Sequence, residues 1–73
     1  MHSFDDYYYF YLVVKHGGFS AASEAENITK SKLSRRILEL EDKFNVNLIQ
    51  RTTRHFKVTA LGQEFYEECA KVI

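Results

Sequence analysis

The chain has 73 residues, 45% of them hydrophobic and 15% aromatic, which fits one small globular domain and excludes a disordered tail. A domain of this size is close to the lower limit of independent stability and leaves no room for a walled-off catalytic pocket beside its core. Formal net charge is zero, and the single cysteine, Cys69, excludes an internal disulfide and favours a reducing, cytoplasmic setting.

The zero hides an asymmetry. Residues 1–27 carry Asp5, Asp6, Glu24 and Glu26 against Lys15 alone. Residues 28–58 carry Lys30, Lys32, Arg35, Arg36, Lys43, Arg51, Arg54 and Lys57 against Glu39, Glu41 and Asp42. Residues 59–73 are acidic again, with Glu64, Glu67 and Glu68 against Lys71. A basic block between acidic ends points to an anionic partner, and charge alone equally describes a solvated face.

In chain order, a first helix is predicted from about Phe4 to His16. Asp5 and Asp6 suit its N-terminal end, and Gly17 and Gly18 stop it. The run "YYYFYLVV" is much shorter than the roughly 20 residues of a membrane span, and no basic segment precedes it as in a leader. Tyr7, Phe10, Val13 and Val14 share one apolar face. Tyr8, Tyr11 and Leu12 make a second face, which a three-helix core is not expected to cover.

Ser20 is the expected cap of a short second helix, about Ala21 to Glu26. The segment "NIT" is a turn, with Asn27 left-handed, Ile28 plugging the core and Thr29 capping the next helix. A third helix runs from about Lys30 to Phe44, with Leu33, Ile37, Leu40 and Phe44 as its buried stripe and Asn45 ending it. Short strands at about Leu48–Arg51 and Phe56–Val58 form a hairpin. Thr59 caps a fourth helix, with Leu61, Phe65 and Val72 on one face.

On the third helix the core stripe falls within about 40° of Leu33, while Ser31, Lys32, Ser34 and Arg35 project elsewhere, mostly from its first two turns. That pattern suits a recognition helix. Its N-terminal end favours phosphate, small hydroxyls allow close approach to a groove, and lysine and arginine reach guanine edges or phosphates. A short helix, a three-residue turn and this helix make a helix-turn-helix, and the hairpin makes a wing whose tip residue, Arg54, is long enough for a minor groove.

The stretch "FSAASEAENITKSKLSRRILELEDKFNVNLIQRTTRHFKVTALGQEFYE" resembles the N-terminal DNA-binding domain of LysR-type transcriptional regulators. The matching features are "FS-A", "S-LSRRI", "LE" and the leucine after it, the arginine closing the first strand, and "T--G--F". The resemblance covers nearly the whole chain. It implies a mainly α winged helix-turn-helix over residues 1–59, with residues 60–73 as the first part of a linker helix. It also implies homodimerisation, an inverted-repeat operator in double-stranded DNA, and a small-molecule effector bound by a C-terminal domain outside this chain.

Carried over by position, DNA contacts are expected at Lys30, Ser31, Lys32, Ser34 and Arg35 and at Arg54 of the wing; Thr29 is expected beside them, Arg36 serves either a phosphate contact or packing through its aliphatic stem, and Arg51 either the DNA backbone or the fold. The dimer contact is expected at Tyr8, Tyr11, Leu12, Phe65, Tyr66, Cys69, Val72 and Ile73.

Lys30 stands where the family often has glutamine, Lys32 where alanine is frequent, and Asn45 where glycine is usual. Glu26 replaces a customary buried leucine. It is expected to reach solvent or a cation, with Ala25 and Ile28 covering the gap. His2, His16, His55 and Cys69 lack metal-ligand spacing, no nucleophile motif is present, and no cofactor, enzyme activity or membrane contact is expected. The alternative is a winged-helix module for protein–protein contact without DNA.

Overall fold

The computed structural model describes residues 4–51 and 55–73. The order is α1 (Phe4–His16), α2 (Phe19–Glu26), α3 (Lys30–Phe44), β1 (Ile49–Gln50), β2 (Lys57–Val58) and α4 (Ala60–Val72). The strands pair antiparallel, Ile49 opposite Val58 and Gln50 opposite Lys57. The architecture is a mainly α winged helix-turn-helix.

The core is built from Phe10 and Val13 of α1, Ala22 of α2, Leu33, Ile37 and Leu40 of α3, and Leu48 and Ile49 at the hairpin's start. Helix α1 is central, packed against α2, α3 and α4. Its C-terminal turn closes when the Gly17 and Gly18 amides donate to the Val14 and Val13 carbonyls, at 3.1 and 3.0 Å. Gly17 does this at φ 82°, a left-handed backbone that glycine adopts without a Cβ penalty.

Helix α2 begins two residues earlier than the sequence indicates. Gly18 is its cap and its carbonyl accepts from the Ala22 amide at 3.1 Å, so Ser20 lies inside the helix. Starting at Phe19 lets that ring pack on the core and against Phe56, edge to face at 6.0 Å. The turn to α3 forms as expected. Asn27 is left-handed at φ 57°, Ile28 packs on the core, and the Thr29 hydroxyl accepts from the Lys32 amide at 3.2 Å.

Helix α3 has the expected limits and ends at left-handed Asn45, φ 55°. Its stripe is one residue shorter than its period suggests, because Phe44 is 45% exposed. That ring lies at the edge of the core, where it meets Tyr7 and Phe65 at 6.5 and 6.2 Å. The strands are also shorter than expected. The Leu48 amide, at the head of the first, donates to the Glu41 carboxylate instead of to a strand.

Thr59 both caps and anchors α4. Its hydroxyl accepts from the Gly62 amide at 2.9 Å and donates to the Asn47 carbonyl at 2.7 Å. Gly62 is the close approach: a Cβ there would collide with the Leu48 carbonyl oxygen and the Val58 side chain. From this anchor α4 folds back over α1. Phe65 packs on Tyr7 and Phe10, both at 5.6 Å, and Tyr66 stacks on Tyr11 at 5.3 Å.

The packed structure corrects the expected second face of α1. Leu12 is only 2% exposed and Cys69 is also buried, while Phe65 and Tyr66 are half-buried against the core. Tyr8 and Tyr11 remain half-buried, and Val72 and Ile73 are exposed. Leu61 is exposed as well, so of the expected apolar face of α4 it is Phe65 that packs on the core.

Candidate nucleic-acid interface

The first two turns of α3 carry the exposed side chains of Lys30, Ser31, Lys32 and Arg35, with Ser34 half-buried between them. The cause is local. Leu33 and Ile37 are fully buried, which fixes the helix's rotation and turns the residues between them outward. The Thr29 cap fixes where the helix starts. Among the described residues, Lys30, Ser31, Ser34 and Arg35 have no side-chain hydrogen bond or ion pair. Lysine and arginine left unpaired in a cluster are cations available to an anionic partner.

Two of the expected contacts sit differently. Arg36 donates from Nη1 to Asp6 Oδ1 at 3.0 Å, and its guanidinium lies 5.8 Å from the Tyr9 ring centroid. Asp6 is buried, so this pair ties α3 to α1. Arg51 donates from Nη2 to Glu41 Oε1 at 3.0 Å. Of the two roles the sequence leaves open for Arg51, fold support is therefore the one its contacts provide. Arg54 lies outside the described residues.

The sequence reading misses Glu41. Its carboxylate is buried and accepts three bonds, from the Leu48 amide at 2.6 Å, the Ile49 amide at 3.1 Å and Arg51. It lies about 80° from Leu33 on the helical wheel, beside the core stripe. A carboxylate there reads as solvated until the amides it serves are seen. Asp6 and Tyr9 are missed for a similar reason, since their partners are thirty and twenty-odd residues distant. Glu26 reaches solvent in part, and its Oε2 is 2.9 Å from His16 Nε2. Ile28 covers the neighbouring core, but Ala25 is exposed.

No group of three or more His, Cys, Asp and Glu among the described residues could hold a metal ion. No described helix is long and apolar enough to cross a membrane.

The lysR-family model of bacterial regulatory helix-turn-helix proteins matches residues 4–63. The chain belongs to the LysR family. It is 34% identical over 71 residues to an HTH-type transcriptional regulator of Xanthomonas campestris pv. campestris, covering 97% of this chain and 21% of that protein. The DNA-binding domain of BenM, solved with catB site 1 DNA, superposes with a TM-score of 0.90 at 31% identity, over 97% of this chain and 76% of that one. Full-length AphB, the Vibrio cholerae virulence activator, superposes with a TM-score of 0.87 at 34% identity, over 97% of this chain and 24% of that one. The chain thus spans about a fifth of the length of such regulators. Within this LysR-type domain, α2 and α3 are the helix-turn-helix and β1–β2 the wing.

Proposed function

We propose that this chain is the sequence-specific, double-stranded DNA-binding domain of a cytoplasmic bacterial transcriptional regulator. Residues 1–59 form the winged helix-turn-helix, and residues 60–73 are the first part of a dimerising linker helix. In this reading α3 enters the major groove. Lys30, Ser34 and Arg35 face base edges, and Thr29, Ser31 and Lys32 lie toward the backbone. Arg54 of the wing reaches the adjacent minor groove. A homodimer presents two such helices to an inverted repeat. A small-molecule effector acts only through a further domain outside this chain.

The observation that carries this reading is the set of unpaired cations and small hydroxyls on the first two turns of α3. The likeness to a LysR-type domain solved on DNA supports it.

Site selection from random duplex DNA, followed by titration at two salt concentrations, is the test. Affinity should fall linearly on logarithmic axes, with a slope of about −0.9 for each phosphate neutralised. Absence of binding at both concentrations would instead favour a winged-helix module for protein contact.

A further inference from the structure

Beside the recognition surface, α1 contributes an aromatic ring that the helix-turn-helix itself does not contain. Tyr9 is half-buried and packed on the core, so its position is fixed by the fold. Two cations of α3 lie near the same ring: Lys32 Nζ is 5.6 Å from the centroid and Arg36 Cζ is 5.8 Å from it. Both distances lie within the reach of cation–π attraction. Lys32 and Arg36 are four residues apart on one helix, a spacing at which like charges repel. On α1, Asp6 lies one turn before Tyr9 and takes Arg36 at 3.0 Å. The two helices therefore mesh as matched pairs, Asp6 and Tyr9 against Arg36 and Lys32.

The consequences for the two cations differ. Arg36 is neutralised by a buried carboxylate. Lys32 is exposed and has no carboxylate partner among the described residues, so the Tyr9 ring is what restrains it. A free lysine stem has to be ordered on binding at an entropic cost. A ring beside the ammonium removes part of that cost without taking up its N–H donors in hydrogen bonds to protein oxygen.

We propose that Tyr9 is a positioning residue for DNA recognition: it pre-orients Lys32 toward the phosphate backbone and so makes α1 part of the reading surface. This rests on the reading that α3 engages DNA. Tyr9→Leu removes the π face while keeping apolar bulk, and Tyr9→Phe keeps the face.

The experiment compares wild type, Tyr9→Phe, Tyr9→Leu, Lys32→Ala and the Tyr9→Leu/Lys32→Ala double variant. Each is titrated against the selected duplex at a temperature where circular dichroism shows all five folded. In parallel, proton NMR of the free proteins reads the ring-current shift of the Lys32 ε-methylene. The expected result is a loss in affinity of about two- to fivefold for Tyr9→Leu in the wild-type background. No further loss is expected in the Lys32→Ala background, and Tyr9→Phe should match wild type. Equal losses from Tyr9→Leu in both backgrounds, or none in either, would overturn the proposal. So would a Lys32 ε-methylene at the same shift in wild type and Tyr9→Leu, whatever happens with DNA. If the ring-current shift is present but no duplex binds wild type, the DNA reading itself fails, and the positioning role falls with it.

Discussion

Glu41 and Arg51 meet at 3.0 Å across the junction between α3 and the hairpin. The same carboxylate holds the Leu48 and Ile49 amides. One side chain on the recognition helix thus fixes the first strand of the wing in position. The angle between the two elements that would contact a duplex is set from within the protein.

Glu41→Ala should therefore be costly. It leaves two amides in a buried region without their acceptor, at about 1–3 kcal/mol each, and strands the Arg51 guanidinium. We expect a loss of roughly 2–5 kcal/mol in urea unfolding. Arg51→Ala should cost less, because Glu41 keeps both amides and the arginine is partly solvated. A Glu41→Ala midpoint at or above that of Arg51→Ala would show that the amides find other partners.

Gly62→Ala tests the anchor of α4. In an exposed helix this change is stabilising by about 1 kcal/mol. Here the new methyl would meet the Leu48 carbonyl oxygen and come within 2.6 Å of Val58 Cγ1. The Leu48 oxygen cannot retreat freely, since it also accepts from the Thr59 amide at 3.0 Å. Overpacking of this kind costs about 1–3 kcal/mol, so the net effect should be destabilising. A raised melting temperature for Gly62→Ala would contradict the close approach.

These two residues mark where the sequence stops being informative. The limits of α3 are legible because three local signals agree: the Thr29 cap, the spacing of Leu33, Ile37 and Leu40, and Asn45 at the end. The cations on its outer face follow from the same period. Phe44 continues the period but lies past the edge of the core, which only the packed assembly defines. Leu12 reads as a free surface because nothing local reveals how the other helices pack on α1. The Glu41 and Asp6 pairings were hidden for the same reason: each is decided by a partner brought in from a distant element.

On the reading surface, Lys30→Ala and Ser34→Ala should each weaken binding to the selected site by about 1–3 kcal/mol per lost base contact. Affinity for random duplex should change far less for Ser34→Ala, since a hydroxyl contributes no phosphate charge. Competition titrations with specific and random duplexes distinguish the two effects. Equal losses on both for Ser34→Ala would count against direct readout at that position.

Cys69 gives a pH prediction. Burial, and after it the nearby Glu68 carboxylate, push its thiol above the ordinary range. The folded chain then holds this proton to higher pH than the unfolded chain, whose thiol titrates near about 8.5. The associated stability is complete below that value and is lost as pH rises through the folded value. Wild type should lose more stability between neutral and strongly alkaline pH than Cys69→Ala does. Iodoacetamide should label wild type slowly until denaturant is added. Rapid labelling of the native chain would show the thiol to be open.

The dimer prediction changes with the exposure of its residues. Leu12 is buried, so Leu12→Asp should unfold the domain and says nothing about association. Of the residues expected in the contact, those left for a partner are Val72, 71% exposed, and Ile73 at the end of α4, with the half-buried Tyr8 and Tyr11 on α1. Tyr11 stacks on Tyr66, so the tyrosine patch of α1 borders α4. Paired across a twofold axis, such a patch would set two copies of α3 on an inverted repeat with half-sites about one helical turn apart, or a multiple of it. We therefore expect concentration-dependent dimerisation in solution and tighter dimerisation on an inverted-repeat duplex. Tyr8→Asp combined with Val72→Asp should abolish the dimer while the circular dichroism spectrum stays that of a folded domain. On DNA, that variant should still bind a single half-site but lose cooperative binding to the repeat. Sedimentation velocity of both proteins decides the point: equal association in the two would place the interface elsewhere on the molecule.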